Sequence, residues 1–314
     1  MFLLVAAACS TSAAISSASG VGGGTAPAAL PVPSERYCGT VREEERVALL
    51  FNPYGFDQDY GLLLAPRTAR LAREAAKTAP KSIRSFWAKY ADVWHRGVEL
   101  LKQAGLSRRQ IHKLVFYDFT SSESVVDVLS HIGATVSGGF PSEIFYRILR
   151  KNQPHLGGHQ RKLFRRYLEL CGILPDSTVE CGRLLTAEEL GAVLGEVSET
   201  DFSQGCWWTG PLPAGTEGSL TAPELYVGVY AAEATFAWLR SVENEYSPYE
   251  PLAGVGDTAV ASKFAQPVAV GVDCGPILLA QVQQRTIVVA DCGSTGPTVE
   301  QLAGVAQMVA TRLT

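Results

Sequence analysis

The sequence predicts an α+β fold, an N-terminal helical bundle followed by a disulfide-braced antiparallel sheet with packed helices. Three observations predict it. Apolar residues recur at three- and four-residue spacing between positions 36 and 175, the period of helices that share a core. After position 178 the pattern changes to short alternating or continuous apolar runs separated by turns, the period of strands. Six of the seven cysteines lie in these two parts, an even number suited to bridging. Charge divides at the same place: residues 1–180 carry 22 Lys/Arg against 16 Asp/Glu, and residues 181–314 carry 5 against 15. The break reads as a domain boundary, with a helical domain at 36–175 and an α+β domain at 178–314. An apolar fraction of 46% with 18% charged residues belongs to an ordered globular chain, and 314 residues suffice for two domains. The acidic second half argues against nucleic acid as a partner, because phosphate binding needs basic residues.

The first nine residues, MFLLVAAAC, are an apolar run, then small residues, then Cys9. They resemble the end of a bacterial lipoprotein signal peptide, which implies that Cys9 is lipidated and that the chain is extracytoplasmic and tied to the outer face of the cell membrane. The other cysteines are Cys38, Cys171, Cys181, Cys206, Cys274 and Cys292, and six cysteines allow 15 pairings. The simplest nesting joins Cys38 to Cys171, Cys181 to Cys206 and Cys274 to Cys292. None of these has the Cys-x-x-Cys spacing of a zinc or redox site, so structural bridges are expected rather than a metal site or a cofactor. Residues 10–35 are Ser, Ala, Gly and Pro with almost no charge, and read as a flexible tether.

In the helical part, KSIRSFWAKYADVWHRGVELLKQAG starts after Pro80 and stops at Gly105, with Ile83, Phe86, Trp87, Tyr90, Trp94, Val98 and Leu101 on one face. Ser107 with Gln110 begins the next helix, Ser122 or a neighbour begins one ending near Gly133, and Ile144–Lys151 and Lys162–Leu170 supply two more. The end of the bundle is basic. Arg147, Arg150, Lys151, Arg161, Lys162, Arg165 and Arg166 occur without an intervening carboxylate. Such a run faces anionic lipid or cell-wall polymer, or is a solvated helix face or a dock for the acidic half. All five histidines (His95, His112, His131, His155 and His159) are in this half. His155 and His159 are broken up by Pro154 and Gly157–Gly158, so no helix presents them together to a metal.

The second part opens on CGRLLTAEELGAVLGEVSETDFSQGC, between Cys181 and Cys206. Thr186 and Glu189 form a capping box, and Leu190, Val193 and Leu194 give a short apolar face that stops at Gly195. Trp207 and Trp208 follow. In a strand their side chains point to opposite faces, so one enters the core and the other either meets a sugar, a lipid chain or a partner, or is covered in turn by the first domain. Leu225–Tyr230 reads as a strand and Glu233–Val242 as a helix. Thr258–Ala261, Val268–Val272, Ile277–Val282 and Thr286–Ala290 read as strands of an antiparallel meander. Thr298 with Gln301 caps a last helix, Val299–Leu313, whose face is Leu302, Val305, Val309 and Leu313.

At CGRLLTAEELGAVLG, Cys206-Trp207-Trp208, LAGVGDTAV, the apolar strands and the terminal helix, residues 178–314 resemble a domain of unknown function found in secreted actinobacterial lipoproteins. LAREAAKTAPKSIRSFW, closing at Tyr167–Cys171, is similar to helical domains of other actinobacterial secreted proteins, with 108–158 as an insertion. The resemblance implies location and lineage, and it assigns no catalytic residues.

Direct signs of catalysis are sparse. The sequence has no Gly-x-Ser-x-Gly elbow, and the acidic half has no histidine. A carboxylate pair could come from Glu188, Glu189, Asp257, Asp273 or Asp291, as a cell-wall glycan hydrolase would need. Glu188 and Glu189 fit the first turn of a helix, and Asp257 fits a turn. The expectation is a lipid-anchored cell-surface protein that binds or senses an envelope lipid, glycan or protein partner without catalysis. The alternatives are the glycan hydrolase and a structural accessory subunit.

Overall fold

The computed structural model describes residues 30–51, 58–119, 124–136, 139–152, 154, 156–199, 205–212, 222–231, 234–241, 248–263, 266–269, 272–293 and 296–314. It is a mixed α+β structure. Helices come first: α1 (Glu35–Phe51), α2 (Gln58–Leu63), α3 (Ala65–Thr78), α4 (Lys81–Gln103), α5 (Arg108–Phe116), α6 (Val125–Ile132), α7 (Ser142–Asn152) and α8 (Gly158–Leu170). Helix α4 is the central rod, with Ile83, Phe86, Trp87, Tyr90, Trp94, Val98 and Leu101 all buried as their spacing requires. Its aromatic side chains key the neighbours into place. The Trp87 indole donates to the Tyr37 hydroxyl of α1 at 3.0 Å, Phe86 meets Phe164 of α8 at 4.6 Å, and Trp94 meets Phe145 of α7 edge-on at 5.4 Å.

The starts of α5 and α6 are set locally by capping boxes, Ser107 with Gln110 and Ser124 with Asp127. The second cap is Ser124, where the sequence suggests Ser122 or a neighbour. Its Asp127 closes the box as well as a Glu or Gln would.

After α8 come α9 (Cys181–Leu184) and α10 (Ala187–Leu194), then β1 (Ser198–Glu199), β2 (Cys206–Thr209), β3 (Glu224–Tyr230), α11 (Ala234–Arg240), β4 (Glu250–Leu252), β5 (Thr258–Ser262), β6 (Gln266–Ala269), β7 (Val272–Cys274), β8 (Ile277–Val282), β9 (Arg285–Asp291) and α12 (Val299–Leu313). Seven strands form one antiparallel sheet in the order β1-β2-β3-β9-β8-β5-β4. The run Val268–Val272 is not a member of it. That stretch is divided between β6 and β7, which pair only with each other as a separate ribbon.

Strand alternation sorts the sheet's side chains onto two apolar faces. Leu225, Val227, Val229, Leu278, Ala280, Val282, Ile287 and Val289 pack with α12, α9 and α10, through Leu302, Val305, Val309, Leu184 and Leu190. Tyr226, Tyr230, Ile277, Leu279, Val288 and Ala290 belong to the same buried cluster as the helical bundle, together with Phe236, Trp238 and Leu239 of α11. Polar contacts stitch this second interface. The Trp238 indole donates to the Arg42 carbonyl of α1 at 2.9 Å, the Thr235 hydroxyl to the Gly172 carbonyl at 2.9 Å, and the Asp176 amide to the Val229 carbonyl at 2.8 Å.

Two glycines make close approaches possible. At Gly228 a Cβ would lie 2.4 Å from the Tyr226 hydroxyl, and its absence lets the Tyr226 and Tyr230 hydroxyls come within 3.2 Å of each other. At Gly97 on α4 a Cβ would lie 2.6 Å from the Phe145 ring and 2.7 Å from Ala65, so α3 and α7 seat on the rod only because nothing projects there. Gly97→Ala is therefore expected to destabilise the protein by about 1–3 kcal/mol. Gly191→Ala, on the open side of α10 with nothing within 4 Å, is expected to be neutral or stabilising by up to about 1 kcal/mol. Thermal denaturation of the two variants measures the contrast, and equal melting temperatures would contradict the packing at Gly97.

Candidate functional site

Six cysteines form three bridges, Cys38–Cys171, Cys181–Cys206 and Cys274–Cys292, with Cα separations of 4.9, 5.5 and 4.3 Å. The first clasps α1 to the end of α8, where Arg42 also donates to the Cys171 carbonyl at 2.9 Å. The second ties α9 to β2, and the third ties β7 to the residue after β9. Each removes loop freedom from the unfolded chain, a contribution on the order of 3–5 kcal/mol. Such bridges are compatible with an extracytoplasmic location, where thiols are oxidised. Cys9, the proposed lipidation site, and residues 10–29 of the tether lie outside the described residues.

The Trp207–Trp208 pair sits on β2 beside the second bridge. Trp208 is buried on the α12 face. Trp207, half-buried, turns to the other face and packs against Tyr226 with ring centroids 4.8 Å apart, at the margin of the bundle's core. The two rings do divide between faces, and both meet protein. The sequence leaves open an exposed stacking ring or two covered rings, and in the structure Trp207 keeps one partly covered edge.

Four of the five candidate carboxylates have described side chains, and three of these are engaged in local contacts of the fold. Glu189 accepts from the Thr186 amide at 2.7 Å and pairs with Arg312 of α12 at 2.7 Å, and these bonds hold its carboxyl down at about 2. Glu188 is exposed in the first turn of α10. Asp257 accepts from the Gln283 amide at 2.6 Å and so braces the β8–β9 turn. Asp291 is buried at the end of β9, where desolvation raises its carboxyl to about 6 and the Gly293 amide, at 2.9 Å, partly offsets that. The side-chain surroundings of Asp273 lie outside the described residues.

The histidines are dispersed. His95 lies 3.5 Å from Glu99, His112 packs on Phe116, and His131 contacts the Tyr117 hydroxyl at 3.0 Å. His159 stands at the start of α8, and His155 is outside the described residues. Among the described residues no group of three or more potential ligands could hold a metal ion, and no helix is long and apolar enough to cross a membrane.

Five of the seven cations of the basic run fall into two populations. Arg165 and Arg166 close on the buried Glu169 at 3.2 and 2.6 Å, and Arg166 also reaches Asp176 at 3.0 Å. Because the Asp176 amide bonds β3, these arginines belong to the joint between bundle and sheet. Arg147, Arg150 and Lys151 do not. They lie on the exposed side of α7 without an ion-pair partner among the described residues. With Glu143 and Tyr146 they line a surface depression of about 520 Å³.

A further group was not picked out from the sequence. Glu44 and Glu45 are both buried in the bundle. One Glu44 oxygen accepts from the Tyr90 hydroxyl at 2.9 Å, while its other oxygen and both oxygens of Glu45 have no hydrogen-bond partner. Desolvation, reinforced by repulsion from Glu44, pushes the Glu45 carboxyl up to about 8, and burial raises Glu44 too. The signal was present in ERYCGTVREEERVALL. Tyr37, Val41 and then Glu44 or Glu45 follow the helical period, which puts the two acids on the apolar face.

Compared with known protein families, curated proteins and solved structures, the chain matches none.

A carboxyl whose folded pKa lies above its unfolded value near 4.5 keeps more protons in the folded state between those two values. Its contribution is full below about 4.5 and is lost as pH rises through about 8. Glu45→Gln is expected to melt higher than the parent at pH 8.5 by roughly 3 °C or more, and close to it at pH 4.5. Melting curves at the two pH values measure this, and a difference that does not change with pH would show that Glu45 is ionised in the folded protein throughout.

Proposed function

We propose that this chain is a lipid-anchored protein of the outer face of a cell membrane, whose role is to bind or sense an envelope ligand or a protein partner without catalysis. The observation that carries the proposal is the cysteine pairing. Six cysteines pair among themselves, which leaves Cys9, behind its apolar leader, as the one with no intrachain thiol to pair with. The likeness of residues 178–314 to secreted actinobacterial lipoproteins, resting on its motif residues alone, points the same way. The binding part draws support from α7, whose cations are not engaged in holding the fold. The carboxylates that a glycan hydrolase would need give that alternative little support, since Glu189 serves α10 and α12, and Asp257 serves a turn.

Expressed from its full-length gene in an actinobacterial host, the parent protein is expected in the membrane fraction. Its intact mass should carry a diacylglycerol and lack the hydrogens of three dithiols. Cys9→Ser is expected in the soluble fraction with the disulfides unchanged. A Cys9→Ser protein that stays with the membrane through a high-salt wash, which strips electrostatic contacts, would rule out the anchor. Native mass spectrometry of the same preparation reads the second half of the proposal as a co-purified lipid, glycan or protein.

A further inference from the structure

We infer that the outer face of α7 is a membrane-contact surface that binds anionic phospholipid head groups, with Ile144 inserted beside them. The inference deepens the function proposed above, because it supposes that the chain is held near a bilayer. Its basis is the distribution of side chains around one helix. Phe145 and Leu149 turn inward, Phe145 onto Trp94 of the central rod. On a 3.6-residue helix Ile144, Arg147 and Lys151 share the opposite side, three and four residues apart, with Arg150 next to them. All four are exposed, and Ile144, 50% accessible, is one of only a few large apolar side chains so placed among the described residues.

Ile144 flanks the three cations, one turn before Arg147 on the same exposed side. A soluble polyanion would satisfy the cations and leave Ile144 in water. A lipid surface satisfies both, because the aliphatic stems and the isoleucine enter the head-group region while the charged ends stay among the phosphates. Glu143 at the rim of the depression gives that end of α7 the opposite sign, so the cations concentrate towards the helix C-terminus.

The position of α7 in the chain fits this role. The chain enters the fold at Leu30–Ser34, which line a groove with His159 and Leu163 of α8. Lys151 and His159 are eight residues apart, which places the last turn of α7 within about 28 Å of His159, a residue that lines that groove. Cys9 is 21 positions before Leu30, so the connection between them spans at most about 75 Å. The basic end of α7 can therefore reach the bilayer that an acylated Cys9 would occupy.

The test uses the soluble Cys9→Ser protein, so that its result does not depend on whether the parent is acylated. Co-sedimentation is measured with vesicles of phosphatidylcholine alone and of phosphatidylcholine containing phosphatidylglycerol. Binding is expected only to the anionic vesicles and is expected to fall with salt. Replacing Arg147, Arg150 and Lys151 together by Gln should weaken it about a hundredfold. Removing the same charge elsewhere, by Lys89→Gln, Arg108→Gln and Arg109→Gln, should weaken it far less. Ile144→Ser should weaken vesicle binding several-fold and leave any binding to soluble polyphosphate unchanged. All these positions are exposed, and far-ultraviolet circular dichroism checks that each variant is folded. No preference for anionic vesicles, or equal losses from the two triple variants, would overturn the inference. Vesicle binding indifferent to Ile144→Ser, with equally tight binding to polyphosphate, would replace the membrane by a soluble polyanion and overturn it as well.

Discussion

The structure depends on one constraint: the central strands β3, β8 and β9 are apolar on both faces. A sheet with one wet face would alternate apolar and polar residues. Here Leu225, Val227 and Val229 alternate instead with Tyr226 and Tyr230, and Leu278 and Ala280 with Ile277 and Leu279. Each face must therefore be covered. Helix α12, with α9 and α10, covers one. The bundle and α11 cover the other. Leaving Tyr226, Tyr230, Ile277, Leu279, Val288 and Ala290 in water would forfeit on the order of 10 kcal/mol, from about 1.5–3 kcal/mol for each larger side chain. That is comparable to the whole net stability of a typical domain. The charge break near residue 180 thus marks a change of sequence character across which the apolar core continues.

This coupling explains where the buried polar groups have gone. Arg42 gives its carbonyl to Trp238 and its guanidinium to Cys171 and Glu35, so one α1 residue joins the sheet side, the first disulfide and the start of its own helix. Glu169, almost fully buried, is matched by Arg165 and Arg166, and Asp176 continues the same network to β3. A buried charge with two partners and a hydrogen-bonded neighbour is tolerable. Glu45, three residues from Arg42, has neither, and desolvation answers by keeping its proton on. The bundle thus holds two kinds of buried acid, one neutralised by arginines and one neutralised by a proton.

Local chemistry made much of this fold legible in the sequence. The boxes at Ser107, Thr186 and Thr298 need only a hydroxyl and a Glu or Gln three residues on, and all three form. Ile277–Val282 and Val299–Leu313 are found with the bounds that their patterns imply. What local pattern could not supply is partnership. Val268–Val272 has the composition of a sheet strand, yet its backbone pairs within its own ribbon, because strand pairing depends on distant residues. Trp207 and Trp208 follow the alternation rule, but only the three-dimensional packing decides that Tyr226 covers the outer one. Glu44 and Glu45 are the reverse case. Their position on the apolar stripe of α1 could be read from the period, and their charge masked it.

The basic run between 147 and 166 shows why composition alone misjudges a surface. Seven cations in twenty residues look like one patch, and the structure divides five of them by task. Those on the last turns of α8 point at Glu169 and Asp176, because that end of α8 abuts the segment leading into the sheet. Those on α7 lie on a helix whose inner side, Phe145 and Leu149, is already spent on α4, and their outer side faces no other described element. Ion pairs that hold a joint are partly buried, so salt and pH near neutrality move them little. Exposed cations without partners feel the full counterion atmosphere and answer to whatever negative surface comes near. The division follows from geometry: Glu169 and Asp176, at the joint between bundle and sheet, neutralise the arginines within their reach, and the outer side of α7, turned away from the central rod, keeps exposed charge available to a partner outside the chain.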